Sequence, residues 1–278
     1  MAELTRIAWS RSTFSGWIGC ARISPACDHC YAEAIDKRFH GGAHWGAGAS
    51  RKLGSDKYWL QPLRWNAQAA VRQEFWPVFC ASQADVFDNE VPQEWRERLW
   101  TLIRATPYLP WQILTKRIGN AASMLPSDWG NGYPNVWLIS TCANQLEADR
   151  DIRKLLAVPV VIHGLSIEPA LGPVNLKFSI PRGSSTSISR ELNCERSPGI
   201  DWVIVGGESK QGGPAREFRL EWCESIVDQC RAHGVAVFVK QMGHNPTVHG
   251  VPIKFTGKGD VVDEWPVALR IQEFPRKC

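Results

Sequence analysis

The stretch NVWLISTCANQLEADRDIRKLLA (135–157) carries the pattern that decides the fold. Its first part, 135–141, is a short apolar run rich in β-branched and aromatic residues, which is typical of a buried strand. The following part, 144–157, has a helix-like pattern of polar and apolar residues. A strand followed by a helix is the unit from which parallel α/β folds are built.

The same unit recurs along most of the chain. Further strands are predicted at 76–82, 110–115, 158–167, 201–207 and 235–241, and further helices at 92–106 and 219–234. The last helix is expected to stop at Gly234. Alternating strands and helices imply parallel strands joined by right-handed crossovers. The sequence therefore predicts an α/β barrel or an open parallel sheet.

Composition agrees with an ordinary globular protein and excludes several other classes. The 278 residues are 44% hydrophobic and 22% charged, which fits one large α/β domain or two small ones. No apolar run is long enough to span a membrane and the N-terminus has no signal-peptide core, so we expect a cytoplasmic protein with no membrane association. The net charge of +4 neither indicates nor opposes a nucleic-acid partner. The fourteen tryptophans are expected in the core or in pocket walls.

Charged and hydrogen-bonding residues follow each predicted strand at its carboxyl end. They are Ser82, Asp85, Lys116, Arg117, Thr141, Glu168, Glu208, Lys240 and Gln241. Parallel α/β folds keep their active sites at the carboxyl ends of their strands. Any one of these residues could instead be a helix cap or part of a structural ion pair. Taken together, they predict one convergent polar site.

Three clustered cysteines stand near the start of the chain in FSGWIGCARISPACDHCYAE (14–33), just before a predicted helix. Cys20, Cys27 and Cys30 are the clustered members of a total of nine, and a reducing compartment disfavours disulfides. Most of the other cysteines are expected to be small buried residues. The trio could bind zinc with His29 or His40 as a fourth ligand. Alternatively, it could hold a [4Fe–4S] cluster through three thiolates, with one iron left open.

Two segments interrupt the alternation of strands and helices, and a third is irregular. Residues 40–66 are glycine-rich, then basic and aromatic, as expected of a lid, a substrate-contacting insertion or a mobile surface loop. Residues 181–200 are polar and serine-rich, and an irregular tail is predicted from about residue 244.

Several segments of the chain carry a resemblance to a known family. They are GCARISPACDHCYAE (19–33), SQADVFDNEVPQEW (82–95), WQILTKR (111–117), WLISTCANQ (137–145), LSIEPALGPV (165–174), WVIVGGESKQGGPAR (202–216) and VFVKQMG (237–243). On these segments the chain resembles the phage Gp37/Gp68-type (DUF5131) family, which is similar to radical S-adenosylmethionine (SAM) enzymes. The usual radical SAM signature separates its cysteines by three and then two residues, whereas this chain separates them by six and then two.

The resemblance implies a fold and a cofactor chemistry. The fold would be a single-domain, partial (β/α)6 TIM-like barrel of the radical SAM type, with an N-terminal cluster-binding loop. Cys20, Cys27 and Cys30 would hold a [4Fe–4S] cluster whose fourth iron is chelated by SAM. An external electron donor would reduce the cluster, and cleavage of SAM would release a 5′-deoxyadenosyl radical that abstracts a substrate hydrogen.

The strand-end residues receive roles on the same basis. Those expected to bind the cofactor are Ser82, Asp85, Lys116, Arg117, Thr141 and Glu168. Glu208, Lys240 and Gln241 are expected to act on the substrate. The phage association favours a nucleotide or a DNA base as substrate, and the basic and aromatic residues of 40–66 would contact it. Arg51, Lys52 and Lys57 are the cations expected to do so.

Other functions stay open. The substrate could be a small molecule or a peptide. A zinc-stabilised nucleic-acid-binding protein without catalysis would explain the cysteines as a structural metal site. A barrel that has lost its chemistry would serve as an interaction subunit.

Overall fold

The computed structural model describes residues 4–176, 199–211 and 213–275. The chain divides into two units. The first contains the described parts of Met1–Thr141, Val158–Val161 and Lys210–Pro214, and the second contains the described parts of Cys142–Ala157, Ile162–Ser209 and Ala215–Cys278. The polar, serine-rich segment 181–200 lies almost wholly outside the described residues, so the prediction for it is not addressed. The expectation of a single domain stays a prediction.

The first unit is built on four parallel strands. Its strands are β1 (Ser12–Phe14), β2 (Trp17–Ile18), β3 (Lys52–Leu53), β4 (Val78–Cys80), β5 (Trp111–Thr115) and β6 (Val136–Thr141). Its helices are α1 (Tyr31–His40), α2 (Asp56–Trp59), α3 (Gln61–Arg72), α4 (Gln93–Arg104) and α5 (Ile118–Met124). The parallel strands lie in the order β1-β4-β5-β6.

The register of these four strands brings their carboxyl ends to one edge. Ser12 pairs with Val78, Val78 with Trp111, and Trp111 with Val136. Almost every residue of β4, β5 and β6 is buried, as expected for parallel strands covered on both faces. The segments that follow β4 and β5 therefore begin side by side.

The second unit repeats the parallel arrangement with three strands. Its strands are β7 (Ile162–Ile167), β8 (Trp202–Gly206), β9 (Phe218–Arg219), β10 (Ala236–Gln241), β11 (Pro246–Val248) and β12 (Val251–Pro252), and its helices are α6 (Gln145–Leu156) and α7 (Leu220–His233). β8 lies between β7 and β10 and is parallel to both. Helix α7 ends at Gly234, which has a left-handed φ of 66°, as predicted.

The predicted α/β class with parallel strands is confirmed. All six predicted strands and all three predicted helices are present, with ends within a few residues of those expected. The arrangement is consistent with a partial TIM-like α/β fold.

Regular structure also occurs where the sequence pattern predicts loops. The segment 40–66 contains β3 and α2 and includes the start of α3, and its Trp59 and Trp65 are only 3% exposed. The segment after residue 244 contains β11 and β12, and β11 pairs with β9. Burial of large apolar side chains explains why both segments are ordered.

Tryptophan side chains fill the cores, as the composition predicts. The most deeply buried are Trp17, Trp76, Trp100, Trp111, Trp137, Trp202 and Trp265. Each large aromatic ring removes much apolar area from water, so these residues are strong contributors to stability. No helix in the described part of the chain combines the length and the apolar character needed to cross a membrane.

Candidate functional site

A cavity in the first unit brings together predicted site residues from three separate segments. The three cysteines come from the segment after β2, Ser82 and Asp85 from the segment after β4, and Lys116 and Arg117 from the end of β5. The cavity measures about 90 Å³, and the non-atom space between its walls reaches about 610 Å³ when the open solvent at its mouth is included. Only with the mouth does the space reach the roughly 300–1,000 Å³ of a small-molecule site.

Backbone hydrogen bonds hold the cysteine segment in place on both sides. Gly19 N donates to the carbonyl of Gln83 at 3.0 Å, and Gly46 N donates to the carbonyl of Cys20 at 2.9 Å. Ser24 Oγ accepts from Ala26 N at 3.0 Å and so caps the short turn that contains Cys27. These contacts fix the segment against the end of β4.

The three cysteines are all free thiols. Cys27 is buried, whereas Cys20 and Cys30 are half-buried, and Cys30 immediately precedes α1. The pKa of Cys20 is raised to about 12, mainly by burial and then by the charge of Asp85, while Arg117 opposes the shift. Metal binding to this thiol would displace its proton.

Positive charge is concentrated around these thiols. Arg22, Lys116 and Arg117 line the cavity, whereas Asp85 is the one carboxylate among the described residues that line it. Arg117 Nη2 donates to the carbonyl of Ala21 at 2.9 Å and lies 3.9 Å from Cys20 Sγ. The balance of charge on the walls favours an anionic ligand.

Lys116 is a half-buried cation beside the cysteines. Burial lowers its pKa, but Cys27, Cys30 and Asp85 outweigh that effect and the net shift is upward. Its hydrogen bond to Asp85 is donated by its backbone N–H. The ammonium group itself makes no hydrogen bond or ion pair with the described residues. A cation in this state is available to an anionic group inside the cavity.

Asp85 organises the wall of the cavity. Its carboxylate accepts hydrogen bonds from Thr115 Oγ1 at 2.7 Å, Lys116 N at 3.0 Å and Phe87 N at 3.0 Å. Burial raises its pKa against the opposing effect of these hydrogen bonds. Asp85 thus ties the segment after β4 to the end of β5.

Ser82 is held by neighbours on two sides. Its hydroxyl lies 3.4 Å from Ser15 Oγ, and its carbonyl accepts a 2.5 Å hydrogen bond from the Tyr31 hydroxyl. Tyr31 follows the last cysteine directly, so this bond fixes the start of α1 against the segment after β4. Several other cavity residues, Arg22 and Trp45 among them, were not predicted as site residues.

The expectation that Arg51 contacts a nucleic acid is wrong. The Arg51 side chain is 0% exposed and pairs with Asp88 and Glu90. Trp59 and Trp65, also in 40–66, lie in the core. The exposed cations of this segment are Lys52, Lys57 and Arg64. A charged side chain in an apolar environment needs a buried counter-ion, and the local sequence does not reveal that partner.

The predicted residues of the second unit form their own contacts. Lys240 Nζ pairs with Glu168 Oε1, although the two were assigned to different ligands. Glu208 accepts from Arg216 N at 2.9 Å and from its Nε at 3.1 Å. Gln241 Nε2 donates to Gly207 O at 2.9 Å and to Ser209 Oγ at 2.7 Å. All these side chains are at least partly engaged in structural bonds.

Thr141 ends β6 in the first unit and does not line the cavity. Its hydroxyl and that of Ser140 are buried and find no hydrogen-bond partner in the described part of the chain. A buried hydroxyl without a partner is costly, which leaves both groups with capacity to bond to water or to a ligand.

The residues of the cavity fit a thiolate-held anionic group by their donor set. Three cysteines and three cations line the cavity, and cysteine thiolates are the ligands that iron–sulfur clusters use. As they stand, no three His, Cys, Asp or Glu side chains in the described ranges are arranged to hold a metal ion. Neither His29 nor His40 lines the cavity, so a zinc site with a histidine ligand gains no support there.

One of three comparisons with known proteins gives a match. Neither the curated proteins nor the solved structures searched contain a match to this chain. The family described as "Protein of unknown function (DUF5131)" matches residues 4–266, which is nearly the whole sequence. The chain therefore belongs to the DUF5131 family.

Proposed function

We propose that this protein is a radical SAM enzyme whose Cys20, Cys27 and Cys30 hold a [4Fe–4S] cluster. The observation that supports this proposal is that all three cysteines line one cavity together with Lys116 and Arg117. Those cations come from the end of β5, far from the cysteines in sequence. Their positive charge would offset the negative charge of three thiolates.

The cluster, when bound, would supply the electron that cleaves SAM and generates a 5′-deoxyadenosyl radical. The chain's own residues would bind and orient the cofactor and shield it from water. Phe79, Leu114 and Trp45 line the cavity and would limit the access of water. Asp85 would keep the wall rigid through its three hydrogen bonds.

SAM binding is proposed for the same cavity and its mouth. Ser82, Lys116 and Arg117 line the cavity and offer hydrogen-bond donors to a carboxylate. The limited enclosed volume means that SAM would extend into the mouth. Asp85 also lines the cavity and is proposed to contact the cofactor, although its carboxylate is already engaged. Thr141 and Glu168 are proposed as further cofactor residues, but neither lines the cavity, and Glu168 is paired with Lys240.

The substrate is proposed to be a nucleotide or a DNA base, with Glu208, Lys240 and Gln241 as the residues that act on it. The pair between Lys240 and Glu168 would have to exchange partners for Lys240 to bind an anionic substrate group. Exposed cations of 40–66 would contact the nucleic-acid backbone. An external electron donor would reduce the cluster before SAM is cleaved.

Reductive SAM cleavage tests this proposal. Anaerobic protein incubated with SAM and dithionite should form 5′-deoxyadenosine, and Cys20→Ala, Cys27→Ala and Cys30→Ala should each abolish it. Cys223→Ala and Cys230→Ala provide matched controls, because both cysteines are buried in α7 of the second unit. Equal product from all five variants would overturn the proposal, as would the absence of product from iron-loaded wild-type protein.

A further inference from the structure

A chain of buried charged side chains leads to Cys20. Arg51 Nη2 lies 2.8 Å from Asp88 Oδ2, and the other carboxylate oxygen of Asp88 lies 3.7 Å from Arg117 Nη2. Arg117 Nη2 in turn lies 3.9 Å from Cys20 Sγ. The three charged side chains are 0%, 2% and 10% exposed, so solvent screens their interactions weakly.

Arg51 holds Asp88 in one orientation. Its Nε also donates to Asp88 Oδ2 at 2.8 Å, and its Nη1 donates to the carbonyls of Gly46 and Ala49 at 3.2 and 2.7 Å. Planar guanidinium groups bound in this way have little freedom to turn. The carboxylate that faces Arg117 is therefore rigidly placed.

The terminal nitrogen Nη2 of Arg117 has two partners. It donates to the carbonyl of Ala21, next to Cys20 in sequence, at 2.9 Å, and it lies 3.7 Å from Asp88 Oδ1. The Nε atom of Arg117 is buried and has no acceptor in the described part of the chain. The guanidinium therefore keeps unused donor capacity beside the thiol.

We propose that Arg117 tunes the reduction potential of the cluster held by Cys20, with Asp88 and Arg51 as the residues that position it. The inference rests on the proposed function. Hydrogen bonds and charges near the sulfur ligands set the potential of an iron–sulfur cluster. A reduced cluster carries one more negative charge, so an adjacent guanidinium stabilises the reduced form and raises the potential.

The midpoint potential of the cluster in Arg117 variants tests this inference. Arg117→Gln should shift the equilibrium toward the oxidised cluster by about tenfold, which is about 59 mV lower for a one-electron couple. Arg117→Lys keeps a charge but loses the planar donor geometry, so its shift should be smaller and in the same direction. Arg72→Gln is the control, because Arg72 is exposed and its ion pair is with Glu74, at 3.9 Å.

Iron content distinguishes the possible failures. Wild-type protein that binds no cluster would overturn the proposed function, and this inference with it. An iron-loaded Arg117→Gln protein with an unchanged potential would overturn this inference alone. Should Arg117→Gln lose its iron, the Arg117→Lys potential decides: a lowered value supports the tuning role, and an unchanged value overturns it.

Discussion

The Arg51 guanidinium and the Asp88 carboxylate form an ion pair at 2.8 Å in which the side chains are 0% and 2% exposed. Glu90 adds a second carboxylate at 3.1 Å from Arg51. The pair joins the glycine-rich segment before β3 to the segment after β4. Because both charges have left water, each depends on the other for its stability.

Removal of the Asp88 carboxylate should therefore destabilise the protein strongly. We expect Asp88→Ala to lower the free energy of unfolding by about 3–5 kcal/mol, since Arg51 would keep a buried charge with weaker compensation. Asp56→Ala is the matched control, because Asp56 is 89% exposed in its pair with Arg98. That variant should lower the free energy of unfolding, measured with urea, by less than about 1 kcal/mol. Equal losses in the two variants would show that burial of the Asp88 pair is unimportant.

Gly19 allows the cysteine segment to approach the segment that contains His44. Its φ is +116°, and a Cβ atom at this position would lie 2.4 Å from the His44 carbonyl oxygen. We expect Gly19→Ala to lower the free energy of unfolding by about 3 kcal/mol or more, because the cost of backbone strain adds to that of a backbone clash. Gly41→Ala should lower the free energy of unfolding by only about 1 kcal/mol. Gly41 has a φ of +65°, but a Cβ atom there would meet nothing within 4 Å. Thermal melting of both variants measures the difference, and a similar Tm for the two would contradict the expectation.

Glu33 should make stability depend on pH. Burial raises its pKa, but hydrogen bonds from Lys37 and Arg22 outweigh burial and the net shift is downward. A carboxyl group with a lowered folded pKa stabilises the protein above its unfolded pKa of about 4.3, and that stability is lost as the pH falls through the folded value.

Glu33→Gln should accordingly be less stable than wild type by about 1–2 kcal/mol at pH 7. The gap should close as the pH falls below about 4. Urea unfolding at several pH values measures it, with exposed Glu224→Gln as the control. A gap of the same size at pH 7 and pH 3 would rule out the ionic contribution of Glu33.

The sequence alone predicts the strands and the part of the site that lies at their ends. Asp85, Lys116 and Arg117 could be placed together because parallel neighbours share an edge, as β4 and β5 do. The partner of Arg51 could not be found in this way, because Asp88 is 37 residues distant and no periodicity links them. The pairing of Glu168 with Lys240, 72 residues apart, is likewise a tertiary contact.

Helix α3 was not predicted from the sequence, for a different reason. Its N-terminal part contains Pro62, Arg64 and Trp65 within a stretch whose basic and aromatic composition resembles a binding loop. Composition does not show which residues of such a stretch are buried and which are exposed. In the structure Trp65 is buried and Arg64 is exposed, so one stretch serves both the core and the surface.

Nucleic-acid binding, if it involves the segment 40–66, should depend on its exposed cations. Joint replacement of Lys52, Lys57 and Arg64 by Gln should weaken binding of single-stranded DNA. For each phosphate that the variant no longer neutralises, the slope of log K against log salt concentration should become shallower by about 0.7. Fluorescence anisotropy at several salt concentrations measures both the affinity and this slope.

A charge-matched control separates local contact from net charge. Replacement of Arg72, Arg153 and Lys254 by Gln removes three cations elsewhere on the chain. If this control weakens DNA binding as much as the first triple variant, the segment 40–66 is not the contact surface. If the wild type binds no DNA, RNA or nucleotide at low salt while it still cleaves SAM, a small-molecule substrate replaces the nucleic acid.

Metal analysis of anaerobically purified protein tests the central claim most directly. We expect brown protein with about four irons and four sulfides per chain, as a [4Fe–4S] cluster requires. Replacement of Cys20, Cys27 or Cys30 by Ala should remove that iron, whereas replacement of Cys223 or Cys230 should leave it unchanged. Colourless protein that contains one zinc per chain and no sulfide would contradict the account.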